Sequence, residues 1–176
     1  MNSSNLLIYL VLNLLSSAFL ALFILRAFRA NYFNPVVKFF VTYFENPKQK
    51  LLPFLPALVS SLLLALVFKF MANSFIYDVQ NYYKVVVFSL VGLINLFFRL
   101  IFYIVVASVI LSWVARGSRH PMIDLVNEIS DKCLAPIRSI IPSFGGLDFT
   151  PIFLILILNY ANSVMIDIVR MLAQSI

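Results

Sequence analysis

The sequence predicts an all-α membrane protein with four transmembrane helices, and three observations support this prediction. Of the 176 residues, 62% are hydrophobic and only 11% are charged, whereas a soluble domain has about 25% charged residues. Four apolar runs are long enough to cross a bilayer, which takes about 20 residues of helix. A charged segment follows the first and the third run, so each of these runs forms a pair with the next one.

The first span is predicted at Leu6–Leu25, because residues 1–25 carry no charged side chain. Its length corresponds to about 30 Å of helix, which matches the hydrocarbon core of a bilayer. A secretory signal peptide begins with basic residues, whereas here the first cation, Arg26, follows the apolar run. The segment is therefore predicted to remain as a membrane span.

A second span follows a short surface helix. Pro35–Phe44 predicts that surface helix, directly after the basic end of the first span. Pro53 and Pro56 precede the next apolar run, which should cross the membrane and end near Ala72. Lys69 lies one turn before this end, so its long side chain is expected to reach the interface.

The third apolar run, Val85–Val114, is longer than one span requires. Its 30 residues correspond to about 45 Å of helix against a core of about 30 Å. We therefore expect the span to be Ile94–Val114, with Val85–Leu93 as an interfacial or packed extension that bends near Gly92. The fourth span is predicted at Pro151–Leu172.

The segment before the fourth span is the only long one that mixes charged and apolar residues at helical spacing. From Pro121, a favourable first-turn residue, it predicts an amphipathic helix of about three turns. The apolar positions are Met122, Leu125, Val126, Ile129 and Cys133, and the polar positions are Asp124, Asn127, Glu128, Asp131 and Lys132. Pro136 should begin a second short helix, which Pro142 ends, and both helices should lie along the bilayer surface.

A tight turn is predicted between these surface helices and the fourth span. Gly145 and Gly146 can adopt positive φ angles, and Thr150 followed by Pro151 is typical of an N-cap and a first helical residue. Asp148 could bind a cation, although we favour hydrogen bonds to backbone N–H groups of the turn or of the fourth span.

Several of these residues resemble the hallmark of the YggT family of small integral membrane proteins. They are Ser112-Trp113, Pro136-Ile137-Arg138, Pro142 and the run from Gly145 to Pro151, GGLDFTP. The resemblance covers the chain, because the bacterial two-repeat members have this length and layout. In the first half Asn34-Pro35, Asn46-Pro47 and Pro56 match, but no Gly-Gly-Leu-Asp follows. The resemblance implies links to osmotic tolerance, to cell division or nucleoid distribution, and to assembly of membrane cofactor proteins in plastids, but no particular biochemical activity.

An internal repeat and an orientation follow from the same layout. An offset of 82 residues aligns Asn13 with Asn95 and the end of the first span with the end of the third. We therefore expect two parallel repeats, at 1–72 and 94–176, joined by a connection and extension at 73–93. The two surface-helix loops carry nine Lys and Arg residues and the opposite side carries three, which predicts cytoplasmic loops and both termini outside, in the bacterial inner membrane.

Side chains with possible chemistry also have simpler explanations. His120 could bind a metal, but it has no neighbours at ligand spacing and is better explained as a helix-start residue. Cys133 is expected to be a small buried hydrophobe rather than a nucleophile. Asp124, Glu128 and Asp131 share a face, and a solvated face is favoured over a carboxylate site. Arg138 suits either a lipid phosphate or a protein partner, and the sequence does not decide between them.

Four asparagines lie within the predicted spans, at positions 13, 95, 159 and 162. Polar residues there usually join helices to each other, and a transport path is the alternative. Arg99 is the one charge near the middle of an apolar run. Measured along the helices from the ends that adjoin the surface helices, Arg99 of the third span and Asp167 of the fourth lie at the same depth. This predicts an ion pair between Arg99 and Asp167. The alternative is that the side chain of Arg99 reaches outward to the interface. Arg170 could share the carboxylate or compete for it.

These features predict a membrane protein that is not an enzyme and has no cofactor and no nucleic-acid partner. One cysteine excludes an intramolecular disulfide, and the sequence has no haem-attachment motif. No nucleophile–base pair or metal constellation is apparent. The leading hypothesis is a scaffold or assembly factor that docks another membrane-associated protein, or a second copy, through its surface helices and contacts membrane lipids. The alternative is a small channel or transport component in osmotic adaptation.

Overall fold

The computed structural model describes residues 3–76, 82–115, 120–141 and 148–174. Within these ranges the chain is helical and has no strand. The helices are α1 (Ser3–Ala27), α2 (Pro35–Phe40), a π-helical turn (Val41–Glu45), α3 (Asn46–Leu51), α4 (Ala57–Ser74), α5 (Tyr82–Val114), α6 (Pro121–Arg138) and α7 (Thr150–Gln174).

Four of the described helices are long and apolar enough to cross a membrane. Their candidate spans are Ser4–Ala27, Ala57–Ser74, Tyr82–Val114 and Thr150–Met171. The prediction of an all-α chain with four helices able to span a membrane is confirmed within the described residues. The predicted boundaries lie within a few residues of the observed ones, except at the start of the third span.

Helix α5 continues without a break from Tyr82 through Gly92 to Val114, a length of about 50 Å. The predicted boundary at residue 94 therefore lies inside one helix. The first part of α5 packs against α4, where Asn73 Nδ2 donates to Ser89 Oγ over 3.0 Å. A Cβ atom on Gly92 would lie 2.7 Å from Cε of Lys69, so the glycine gives that side chain room to cross the helix.

Lys69 does not reach outward as expected. Its Nζ donates to Oδ1 of Asn13 over 2.6 Å, so the side chain lies across the contact between α1 and α4. Small side chains allow these two helices to approach closely, and Ser16 Oγ donates to the carbonyl of Ala65 over 2.7 Å. Lys69 bonds within the protein because an acceptor is available beside it.

The surface segment of the first half is longer and less regular than predicted. Instead of ending at Phe44, it passes through a π-helical turn into α3. Asn34 begins it as an N-cap, because its Oδ1 accepts from Val36 N over 2.9 Å. The other end of the same amide donates to the carbonyl of Pro121 over 2.7 Å, which joins this segment to the start of α6.

The prediction that Pro136 begins a separate helix is wrong, because α6 runs through it to Arg138. Proline removes one backbone hydrogen bond, to the carbonyl of Lys132. Pro136 is exposed and lies in the last turn of α6. The carbonyl that loses its hydrogen bond is therefore on the solvent side of the helix, and the helix ends soon afterwards, so the proline is tolerated.

The main hydrophobic core lies between the last turn of α1, α2, the π-helical turn, α5, α6 and the start of α7. Its buried side chains are Ile24, Leu25, Val37, Val41, Ile101, Val105, Leu125, Ile129, Cys133, Leu134 and Leu154. The apolar side of α6 thus packs on the protein itself. A second cluster joins α1 to α4 and α5, through Phe19, Leu20, Leu22, Ala65 and Leu93.

A buried carboxylate fixes the first surface segment to the end of α1. Glu45, the last residue of the π-helical turn, is only 3% exposed. Its Oε2 accepts from Nε of Arg26 over 2.8 Å and also from Nη2 of the same guanidinium. A buried charge needs such a partner, because loss of hydration is otherwise uncompensated.

Removing the cation of this pair should destabilise the protein. Arg26→Met is expected to lower the free energy of unfolding by about 2 kcal/mol, less than the roughly 3–5 kcal/mol of a fully buried pair because Arg26 is partly exposed. The double variant Arg26→Met/Glu45→Leu should recover at least half of this loss, since no charge is left buried. Unfolding in mixed detergent micelles measures both, with Lys50→Met as control. A double variant no more stable than Arg26→Met contradicts the pair.

Candidate functional site

Helix α6 binds the loop that follows α1. Lys132 Nζ donates to the carbonyl of Arg29 over 3.0 Å, and the backbone N–H of Asn31 donates to the carboxylate of Glu128, 3.1 Å from each oxygen. Glu128 and Lys132 also form an ion pair over 2.5 Å, one helical turn apart. Two side chains of α6 therefore hold the loop by its backbone, and Glu128 has partners within the protein that the sequence did not predict.

Arg138 joins the last turn of α6 to the start of α7. Its Nη1 donates to Asp131 Oδ1 over 2.8 Å, and its Nε donates to Asp148 Oδ2 over 3.0 Å. Asp131 precedes Arg138 by two helical turns, so both lie on one face of α6. The sequence left Arg138 open between a lipid and a partner protein, and its two carboxylate neighbours were not foreseen.

Asp148 caps α7, which confirms the preferred explanation of this residue. Its Oδ1 accepts from the backbone N of Thr150 over 2.9 Å and from Thr150 Oγ1 over 2.5 Å. Thr150 is itself the first residue of α7 and is buried, so the prediction that it is the N-cap is wrong. Pro151 is then the second residue of α7, one position later in the first turn than predicted. Pro142, Gly145 and Gly146 lie outside the described residues, and their turn stays a prediction.

The charged side chains of Arg138, Asp131 and Asp148, where α6 meets the start of α7, stabilise one another. The hydrogen bond to Asp131 is the main reason why the pKa of Arg138 is raised, and Asp148 adds to the effect. Partial burial by itself would raise the pKa of Asp148, but the hydrogen bonds from Thr150 and the guanidinium of Arg138 outweigh it and hold that pKa below its usual value. Both groups therefore remain charged at neutral pH.

His120 and Cys133 have the simple roles predicted for them. His120 is the N-cap of α6, because its Nδ1 accepts from Met122 N over 3.2 Å. Cys133 lies in the main core, and burial raises the pKa of its thiol to about 11. The thiol is therefore protonated at neutral pH and is a poor nucleophile. Within the described ranges no three His, Cys, Asp or Glu side chains are close enough to hold a metal ion.

The aligned asparagines of the two halves make similar contacts. Asn13 on α1 accepts from Lys69 on α4, and Asn95 on α5 accepts from Nδ2 of Asn162 on α7 over 2.9 Å. In each half, the asparagine of the first span therefore bonds to the second span. Asn159 is exposed and lies one turn from Asn162.

A polar cavity of about 250 Å³ lies between α5 and α7. Its lining consists of Asn95, Phe98, Arg99, Phe102, Tyr103, Leu158, Asn159 and Asn162. Oδ1 of Asn162 is buried there and accepts no hydrogen bond within the described part of the chain. The cavity thus offers one cation, several amides and an unused acceptor within the apolar length of two candidate spans.

The predicted ion pair between Arg99 and Asp167 is wrong. Asp167 lies 3.8 Å from Arg170 instead, and no salt bridge joins it to Arg99 among the described residues. The contact between Asn95 and Asn162 sets the register of the antiparallel helices α5 and α7 and places Arg99 level with Leu158. Asp167 is nine residues farther along α7, about 14 Å away along the axis.

Known proteins provide relatives but no template for this site. The CCB3/YggT family model matches residues 87–169. An uncharacterised protein of Pseudomonas aeruginosa is 32% identical, over 82% of this chain and 79% of its own. The uncharacterised protein YggT of Escherichia coli K12 is 28% identical, over 92% and 88%. A third, from the proC 3' region of Vibrio alginolyticus, is 30% identical over 96% of both chains. No solved structure matches.

The cap at Asp148 predicts an acid-sensitive start of α7. Because the pKa of Asp148 is lowered in the folded protein, its contribution to stability is present above its unfolded pKa of about 3.9 and is lost as pH falls through the lower folded value. Hydrogen exchange at the amide of Thr150 should therefore accelerate below about pH 4 beyond its intrinsic pH dependence. Asp148→Asn should remove this extra acceleration, whereas the exposed Asp124→Asn should keep it. Equal acid profiles for the protein and Asp148→Asn would contradict the cap.

Proposed function

This chain belongs to the CCB3/YggT family, and we propose that it is a non-catalytic membrane scaffold or assembly factor that docks its partner on α6. One observation carries the proposal. α6 lies outside the four candidate spans, its apolar side is buried in the protein's own core, and Asp124, Asp131 and Lys132 of its polar side are exposed. The partner is a membrane-associated protein or a second copy, and nucleic acid is not expected.

Rigidity supports this role for α6. Contacts at both ends hold the helix, through Asn34 at Pro121 and through Arg138 at the start of α7. Glu128 and Lys132 fix its middle to the loop after α1. A rigid face loses little conformational entropy on binding, and such a face suits the docking of a partner.

The proposal includes a parallel repeat and an orientation. Two spans with a surface segment between them occur in each half, and the aligned asparagines Asn13 and Asn95 bond to equivalent spans. The excess of Lys and Arg in the two surface segments supports a cytoplasmic location for them, with both termini outside the bacterial inner membrane. α6 would then meet cytoplasmic or membrane-embedded partners.

Site-specific crosslinking tests the docking face. A photoreactive residue in place of Ala135, which is exposed on the same face of α6 as Asp124, should give one discrete adduct in native membranes. Charge reversal in Asp124→Lys should abolish the adduct without changing the thermal stability, because Asp124 is exposed. The same photoreactive residue at Tyr160 on α7 is the matched control and should not give this adduct.

Two outcomes would overturn the proposal. The first is an adduct that persists in Asp124→Lys, because the face would then not select its partner. The second is labelling of Asp124→Cys, in a Cys133→Ala background, by a membrane-impermeant thiol reagent added to intact spheroplasts. That labelling would place α6 outside the cytoplasm.

A small channel or transport component is the second candidate, and the cavity between α5 and α7 favours it. Arg99 lies close to the middle of α5, where an uncompensated charge costs about 2.5–3.5 kcal/mol on insertion scales. The asparagines around it offset part of this cost and also provide polar groups for a solute. An intramembrane charge in a polar cavity is a typical feature of transport sites.

Flux measurements separate the two candidates. Purified protein in liposomes should show no flux of K⁺, Cl⁻ or glycerol above protein-free liposomes if it is a scaffold. Transport through the cavity would instead give a flux that Asn95→Leu and Asn159→Leu reduce at least about tenfold, while Asn46→Leu on the surface helix α3 leaves it unchanged. Such a selective loss would overturn the scaffold proposal.

A further inference from the structure

The backbone of Arg29 has an unusual conformation. Arg29 has a φ angle of 49° and is the one non-glycine residue with positive φ among the described residues. It follows α1 in a Schellman arrangement, in which Ala30 N donates to the carbonyl of Leu25 over 2.8 Å and Arg29 N donates to that of Arg26 over 3.1 Å. Glycine usually occupies this position, because a Cβ atom disfavours the left-handed conformation.

The surrounding structure holds this conformation in place. Lys132 binds the carbonyl of Arg29, and Glu128 binds the N–H of Asn31. Strained residues persist when neighbouring contacts determine their conformation, and they often mark functional positions. A glycine would relieve the strain, so the arginine side chain itself requires an explanation.

Arg29 lines a cavity of about 180 Å³ at the end of α1. The other lining residues are Leu22, Leu25, Arg26, Ala30, Tyr32, Val37 and Val41. The cavity therefore combines an apolar part with two guanidinium groups and a phenol. Arg26 is already paired with Glu45, whereas no carboxylate pairs with the exposed Arg29 in the part of the chain that the structure describes.

The position of the cavity indicates the kind of ligand. The candidate span of α1 ends at Ala27, two residues before Arg29, so Arg29 follows the apolar length of α1 at the position where the headgroup region of a bilayer is expected. Arginine forms two-pronged hydrogen bonds with phosphate oxygens. The leucine and valine side chains provide an apolar contact for the adjoining glycerol and acyl carbons.

We propose that this cavity binds the phosphate group of an anionic phospholipid, with Arg29 as its principal cation. The half-exposed Tyr32 also lines the cavity and carries a hydroxyl that can serve as a second donor. The proposal is independent of the scaffold and transport proposals, since it concerns a different set of residues. It also explains why an arginine occupies a position that otherwise favours glycine.

Arg29→Gly gives the sharpest test, because it removes the cation and relieves the backbone strain. In the full-length protein, retention of phosphatidylglycerol over phosphatidylcholine, measured by native mass spectrometry, should fall about tenfold, as expected for loss of one charge-assisted contact. The melting temperature without anionic lipid should stay equal or rise. Arg29→Gln, which keeps the strain, should lose the same selectivity, and Lys50→Gln, with the same change of charge on exposed α3, should retain it.

Three results would overturn the assignment. Unchanged selectivity in Arg29→Gly would show that the arginine has no role in lipid binding. An equal loss in Lys50→Gln would show that only the overall charge matters. If millimolar inorganic phosphate displaces phosphatidylglycerol and raises the melting temperature in an Arg29-dependent way, the site takes a soluble phosphate rather than a lipid.

Discussion

The packing of α6 on α5, α7 and α2 is the contact on which the other parts of the structure depend. Its apolar side completes the main core, and its charged side chains hold the loop after α1 and the start of α7. Without this helix the main core would lose Leu125, Ile129, Cys133 and Leu134. α6 therefore connects the two halves of the chain at one end of the spans.

This packing also gives a reason for the length of α5. The register set by Asn95 and Asn162 places Thr150, the first residue of α7, level with about residue 107 of α5. The last part of α5 extends beyond that level, and Ser108 Oγ donates there to Asn127 Oδ1 of α6 over 2.9 Å. The extra length of α5 is used at both ends, against α4 at the first and beside α6 at the second.

Local sequence patterns predicted the helices, but they did not predict the contacts between residues that are distant in the sequence. Hydropathy and capping residues located the spans and the start of α6, because both signals are contained in a few neighbouring residues. The ion pair between Arg99 and Asp167 failed because depth was counted from the helix ends, as if both spans began at one level. The packing of side chains determines how far α5 and α7 are displaced along each other, and this displacement cannot be read from the sequence.

The same limit applies to the charged side chains of the surface segments. Helical spacing placed Glu128 and Asp131 on one face of α6, but not the loop and the arginine that they bind. The partner of Glu45 was equally hidden, since it lies in a different helix. In the family motif, the capping role of Asp148 was predictable because its partner Thr150 is two residues away.

The cations that remain unpaired for binding are therefore fewer than those counted to predict the orientation. The excess of Lys and Arg acts while the chain inserts, before tertiary contacts form, so all of them count. In the folded protein Arg26, Lys132 and Arg138 are paired with carboxylates. Their charge is largely compensated, whereas the exposed Arg29 lines a cavity and has no carboxylate pair among the described residues. Selectivity for an anion should thus depend on this one position more than on the net charge of the chain.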